Sequence, residues 1–467
     1  MTKRQRSLLF LFLALLFVVL APTVVLYSQG YRIDWQAKRI TQTGGLHFKT
    51  IPSRVNISID GKLVKRTDFF FGTALLTNLF PGQYYVEITK KGFQPWHKIL
   101  EIQKKEVTEA ENVLLFPETT DFLGIADSVE QLWMTPSRDA ALLQKRNPDK
   151  TWSVSLLSFS TLQEKSLFSQ QHSKEYLLDI QWSSDAKRIL VKKSSGDQLQ
   201  YEVWGITEGV PCFLTPCTLE FLPADIGNVR FSAISADLVL YTRFLNNSQV
   251  LLQTNYRTKE DSPPLGNNIV AFTTKETGVF WISDQGNLWQ RDLLLENSSP
   301  IQEEIAPFPI AKEQSLKLLP VENAVLLIQK NSLFQLIPKS VTTQEILSSV
   351  TSVEISPDQK KVGLANDSEL WVYYLAGEQN QPRRTAGEKV FLTRQSRSLA
   401  NLTWITSHHL LFSIDNTIWV AEIDDRNHLN TAAIAEFPNP QVFWDKEKDI
   451  LYVLSENVLF VSEKLVK

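Results

Sequence analysis

A chain of 467 residues with 12 Trp and 26 Phe can bury a large apolar interior, and its length fits two to four domains. The net charge of −3 conceals a split, since residues 32–105 carry +8 and residues 106–467 carry −14. The acidic bulk disfavours binding to nucleic acid, and 18 glycines leave little material for loops that cradle phosphates.

Leu8 to Tyr27 is uncharged and almost entirely Leu, Phe, Val and Ala. About 20 apolar residues cross a hydrocarbon core of roughly 30 Å as a helix, which satisfies its own backbone amides. Pro22 lies near one end, where a lost hydrogen bond costs least. Lys3, Arg4 and Arg6 precede the run, and basic flanks stay on the cytoplasmic side. The reading is a tail over 1–6, a transmembrane helix over 7–28, and the bulk outside the cytoplasm of a bacterium. A cleaved signal peptide competes with it, but its apolar stretch is shorter, and the residues Val25 to Gly30 make a poor cleavage site. Both readings export the protein.

Residues 29–43 read as a linker, and 44–104 as a small β-sandwich. Val55 to Ile59 alternates with period two and ends at Asp60-Gly61, a tight-turn pair. Gln83 to Thr89 is a second alternating strand between the turns Pro81-Gly82 and Lys91-Gly92, and Ile99 to Ile102 is a last strand. Phe69, Phe70, Phe71 and Trp96 are its expected core. The order of Pro52, Asp60-Gly61, Leu79, Pro81-Gly82-Gln83-Tyr84, Val86 and Lys91-Gly92-Phe93 resembles the PEGA domain, a β-sandwich of surface-exposed bacterial and archaeal proteins. The resemblance covers about 55 residues and implies a fold, because its positions are turn residues and core aromatics. The tetrapeptide that names the family is degraded at Pro52 to Val55, and 65–72 is an insertion.

Residues 112–467 repeat. Trp182-Ser-Ser-Asp185 matches Ile355-Ser-Pro-Asp358, and equivalent strand ends fall at Trp133, Trp182, Phe231, Phe272, Leu319, Ile355, Trp404 and Trp444. Their mean spacing of about 44 residues is that of four-stranded propeller blades. The turns resemble those of TolB-like and WD-like repeats. The fold class is therefore all-β: a transmembrane helix, a PEGA-like sandwich and a β-propeller of eight blades, with seven as the alternative. The last unit lacks an outer strand, and Asn112 to Phe116 is a candidate to supply it.

Cys212 and Cys217 either close a small disulfide loop or stay reduced, and their spacing is that of neither a redox pair nor a zinc site. Of His47, His97, His172, His408, His409 and His428, only His408 and His409 adjoin, and they are expected in a solvated turn. No nucleophile elbow, carboxylate pair or metal cluster is legible, so no catalytic residue, metal ligand or cofactor is assigned. The acidic pairs Asp424-Asp425 and Glu303-Glu304 read as loop tips. Three long loops, 257–266, 296–314 and 376–398, interrupt the repeats. The last concentrates Arg383, Arg384, Lys389, Arg394 and Arg397 and is the best candidate for contact with a partner. The function that fits is a non-enzymatic envelope scaffold, held by the cytoplasmic membrane and presenting its propeller to an envelope protein or a cell-wall or surface glycan. A propeller-type glycan hydrolase or lyase, and a sensor subunit acting through a membrane partner, are the alternatives.

Overall fold

The computed structural model describes residues 3–466 except 36–37, 171–173, 197, 214, 223–225, 296–297, 304–306, 311–315, 323 and 338–342. Helix α1 spans Lys3–Ser28, and an 18-residue window within Gln5–Ser28 has a mean hydropathy of 3.0, with none of that window buried against protein. The expected linker holds a hairpin, β1 (Tyr31–Asp34) and β2 (Arg39–Gln42). Thr43 N donates to Gly30 O at 2.9 Å, so the hairpin closes where helix and sandwich meet.

The sandwich comprises β3 (Gly44–Ile51), β4 (Asn56–Ile59), β5 (Lys62–Arg66), β6 (Thr73–Leu79), β7 (Gly82–Thr89), β8 (Trp96–Ile102) and β9 (Val107–Leu114). One sheet has the order β6-β3-β9 and the other β5-β4-β7-β8. The sheets enclose Leu46, Phe48, Val55, Ile57, Val86, Ile88, Trp96 and Leu100. The strands expected at 83–89 and 99–102 lie within β7 and β8, and that expected at 55–59 coincides with β4 apart from Val55. Two expectations are corrected. Asn112 to Phe116 does not close the propeller, because β9 runs parallel to β3 with Gly45 opposite Val107 and Ile51 opposite Leu114. Phe69, Phe70 and Phe71 are exposed, Phe70 by 82%, and of the four expected core aromatics only Trp96 is buried. The reason is Asp68, whose carboxylate accepts hydrogen bonds from the amides of Phe70, Phe71 and Thr73 and from the Thr73 hydroxyl. That turn directs the three rings outward. It closes at Gly72, which has φ +64° and packs so tightly on Thr50 O that a Cβ would lie 2.2 Å from it.

Eight four-stranded sheets follow, over 129–169, 175–218, 229–261, 269–302, 316–347, 352–394, 399–436 and 441–462. They are blades 1 to 8. The outer strand of blade 8 is β10 (Phe122–Ala126), which pairs antiparallel with Val458–Ser462. All eight strand ends read from the repeat spacing lie on the first strands of the blades. Each blade seam has its own apolar cluster, and the one containing Val129, Leu143, Tyr452 and Leu459 joins blade 1 to blade 8. Two of the four Trp residues at strand ends also tie neighbouring blades together. The Trp404 indole donates to Glu354 O of blade 6 at 2.9 Å, and that of Trp444 donates to Ile405 O of blade 7 at 3.1 Å.

The Ser-x-Asp turns stabilise themselves. Ser183 Oγ donates to Asp185 at 2.6 Å, and Ser356 Oγ donates to Asp358 at 2.5 Å. The basic residue five positions after each serine folds back on the aspartate, Arg188 at 2.9 Å and the fully buried Lys361 at 2.8 Å.

Candidate functional site at the sandwich–propeller junction

Strand β8 alternates strictly, with Trp96, Lys98, Leu100 and Ile102 on its inward face. Period two thus drives a lysine to a core position, where it requires buried anions. Blade 7 supplies them. Lys98 Nζ lies 2.6 Å from Glu422 Oε1 and 3.4 Å from Asp424 Oδ1, and it donates to Asp424 O at 2.6 Å. Trp96 Nε1 donates to the other Glu422 oxygen at 2.9 Å, and Asn430 Nδ2 donates to Oε1 at 2.7 Å. Arg426 pairs with Asp424 at 2.6 Å and donates to Glu109 O of β9 at 2.8 Å. Burial by itself would raise the pKa of Asp424, but the hydrogen bond from Arg426 and the charges of Lys98 and Arg426 more than offset it, so the carboxyl is held below its ordinary value. Backbone amides of β8 complete the seat: His97 N donates to Asn430 Oδ1 at 3.3 Å and Ile99 N to Asn427 Oδ1 at 3.2 Å. The sandwich is fixed to blade 7 by a polar network with an apolar rim. The sequence reading missed Lys98; extending the alternation back from Ile102 to Trp96 could have placed it inward, but its partners lie more than 320 residues away.

The first part of the basic loop 376–398 borders this junction. Gln381 reaches Val107 O of β9 at 3.1 Å and accepts from Glu109 N at 3.2 Å. Arg384 pairs with Glu388 at 2.6 Å and with Asp425 of blade 7. Burial alone would lower the Arg384 pKa, but these carboxylates raise it. Lys389 donates to Ile346 O at 2.8 Å above the Trp371 ring. Arg394 pairs with Glu369 and Arg397 with Asp415. Arg383 lines an open groove beside Gln381 and Arg426. The structure therefore brings Arg383 and Arg384 to the sandwich junction and spreads Lys389, Arg394 and Arg397 along the outer strand of blade 6 and the connection after it. Four of the five cations are engaged within the chain. Cys212 and Cys217 are joined by a disulfide with their Cα atoms 5.4 Å apart. The loop 257–266 contains the outer strand of blade 3, Glu260–Asp261, while 296–314, Glu304 and His172 lie partly or wholly outside the described residues.

His408 and His409 were expected in a solvated turn; only His408 lies in a turn, and it is half-buried there. His409 begins a strand, so alternation turns it inward, and it is buried beside Phe116 with Nδ1 2.9 Å from Thr406 Oγ1. Burial, with the His408 charge adding to it, lowers its pKa to about 3. A histidine with a depressed folded pKa stabilises the fold fully above its unfolded value, near 6.5, and loses that contribution as pH falls from there towards 3. Replacing His409 with Phe should therefore flatten the acid dependence of unfolding free energy by roughly 3–5 kcal/mol across that window. Urea titrations of both proteins at stepped pH measure it, and parallel curves would contradict the assignment.

Between blades 3, 4 and 5, a cavity of about 130 Å³ is lined by Asn228, Arg230, Thr242, Gln249, Phe272 and Lys317, among others. Charges on the first strands of the blades oppose one another. Burial lowers the Arg230 pKa against the pull of Asp179, and burial raises that of Glu354 against Lys317 and Arg138. Each of these acids faces a cation. A larger open groove of about 780 Å³ runs between blades 4 and 5, with Lys275, Glu276, Arg291 and Glu322 around Phe280 and Val321. Among the described residues, no group of three or more His, Cys, Asp or Glu is placed to hold a metal ion.

No family model and no curated protein matches this chain. Among solved structures it is similar to Sqt1 of Saccharomyces cerevisiae, at 11% identity over 75% of this chain and 98% of that one, with a TM-score of 0.45. BamB of Moraxella catarrhalis has 11% identity over 73% of this chain and 98% of that one, with a TM-score of 0.43. An oligogalacturonate lyase of Vibrio parahaemolyticus has 11% identity over 74% of this chain and 97% of that one, with a TM-score of 0.40. These likenesses concern the propeller and assign it no activity.

Proposed function

We propose that this protein is a non-enzymatic scaffold of the bacterial cell envelope. In this reading α1 crosses the cytoplasmic membrane with its basic start inside, and the sandwich, a PEGA-like module, sets the propeller outside as a surface for an envelope protein or glycan. The observation that carries it is the buried seat of Lys98 on Glu422 and Asp424. A propeller locked to the module beside an apolar helix is built to hold a position. The Cys212–Cys217 disulfide suits an oxidising compartment. The groove between blades 4 and 5, which mixes charged residues such as Lys275, Glu276 and Glu322 with Phe280 and Val321, is the surface offered.

Protease added to intact spheroplasts should degrade the bulk of the chain, and mild crosslinking should capture an envelope partner. Reversing charge at Glu276 and Glu322 together should abolish that crosslink. Protection of the bulk would overturn the orientation. An unchanged crosslink in the double variant would remove the groove from the interface.

A further inference from the structure

The two edges of the sandwich differ. Strands β8 and β9 form the edge that meets blades 6 and 7, while β5 and β6 form the opposite edge. Every residue of β5, Lys62–Arg66, is exposed. Beside it stand the outward rings of Phe69, Phe70 and Phe71, exposed by 53, 82 and 76%, with Leu63 at 67% and Leu75 at 46%. A contiguous apolar surface of this kind on an otherwise well-packed module marks a contact. The aromatic turn is held open: besides the four hydrogen bonds to Asp68, the Arg54 guanidinium covers the inner ring, Phe69, at 3.8 Å. Lys62, Lys65 and Arg66 make the surround basic.

The chain enters on this side. Arg32 of the β1–β2 hairpin donates to Asn78 Oδ1 in β6 at 2.7 Å and stacks on Tyr27 of α1 at 3.5 Å. The hairpin itself exposes Ile33, Trp35 and Ile40, Trp35 by 81%, and carries Arg39. Helix end and hairpin thus meet β6 at its Asn78 end, the aromatic turn lies at the other end of the same edge strand, and the acidic propeller lies on the other side of the sandwich.

We propose that the β5–β6 edge, with the β1–β2 hairpin, docks on anionic phospholipid in the same membrane that holds α1. Phe69, Phe70 and Phe71 enter the interface, and Lys62 and Arg66 meet the headgroups. The inference rests on the membrane anchoring proposed above. Aromatic rings favour the boundary between headgroups and acyl chains, and each basic residue near an anionic surface adds about 1 kcal/mol, or about fivefold in a binding equilibrium. The short connection from Ser28 to Gly44 keeps the edge within reach of the bilayer, so docking is an intramolecular step. The sandwich would lie on this edge with its strands along the membrane plane, lifting the propeller away from it.

The test uses the full chain in vesicles of equal parts phosphatidylcholine and phosphatidylglycerol. The native cysteines are joined to each other, so a bimane label can be placed at Phe70→Cys alone, or at Leu162→Cys on the exposed surface of blade 1 as a control. Lipids with a spin label near the headgroup should quench the label at 70 and not the one at 162. Quenching should weaken in pure phosphatidylcholine, and adding Lys62→Gln and Arg66→Gln should lower the docking equilibrium about fivefold per charge. If the chain floats with the vesicles but the label at 70 is not quenched, the docking is wrong and the anchor stands. If the chain does not float with them, the anchor falls and the docking with it. Equal quenching in both lipids would overturn the headgroup contact. A signal that depends on the density of labelled chains would place a second copy on the edge instead of lipid.

Discussion

Replacing Lys98 with Ala should cost about 3–5 kcal/mol, because it leaves Glu422 and Asp424 desolvated with no cation from the sandwich. The loss should fall on docking before it falls on either core. Two-step urea unfolding and early proteolytic cleavage in the connection 115–121 are the expected signs. Lys98→Met with Glu422→Gln and Asp424→Asn should recover much of the loss, since neutral groups of similar shape tolerate burial better than an unpaired charge. Arg426 would remain opposite an amide in that triple variant, so recovery should be incomplete. A loss below about 1 kcal/mol for the single substitution would mean that water reaches the carboxylates and that the network contributes no more than a surface pair.

Tyr452→Ala should cost about 3–5 kcal/mol as well, for a different reason. Tyr452 is 1% exposed and stacks on Phe159 of blade 1 with ring centroids 4.2 Å apart, at the seam where the ring closes. The cavity would open one seam of eight. Hydrogen exchange should accelerate first in 122–134 and 458–462, while blades 3 to 6 keep their protection. Tyr452→Phe keeps the stacked ring and should cost far less. Leu123→Pro attacks the same seam through the backbone, because Leu123 pairs with Val461 and proline removes a ladder hydrogen bond. Uniform loss of protection across all blades would show that the propeller unfolds as one unit, with the seam no weaker than the rest.

Both predictions concern places where distant parts of the chain meet, and there the sequence was least legible. Period-two alternation located β4, β7 and β8, but the last strand was read from Ile99 and so missed the inward Lys98. Nothing local linked Lys98 to residues 422 and 424. The same limit misassigned the closing strand. Asn112 to Phe116 and Phe122 to Ala126 are both short apolar stretches before blade 1, and only the parallel partnership of β9 with β3 decides between them. Phe69, Phe70 and Phe71 read as core by composition. Four hydrogen bonds to Asp68 override that and hold the rings in solvent. The basic loop read as the best candidate for contact with a partner, and in the structure carboxylates of this chain engage Arg384, Arg394 and Arg397.

The sequence alone determined the apolar helix, the all-β class and the mean spacing of about 44 residues, because these rest on periodicity, and it left eight blades or seven open until the structure gave eight. Only the tertiary structure decided which strand closes the ring, which aromatics face water and which acids receive the buried lysine. Each of those depends on pairing or desolvation between residues far apart in the chain, where the energy resides in the contact and neither local pattern reveals the other.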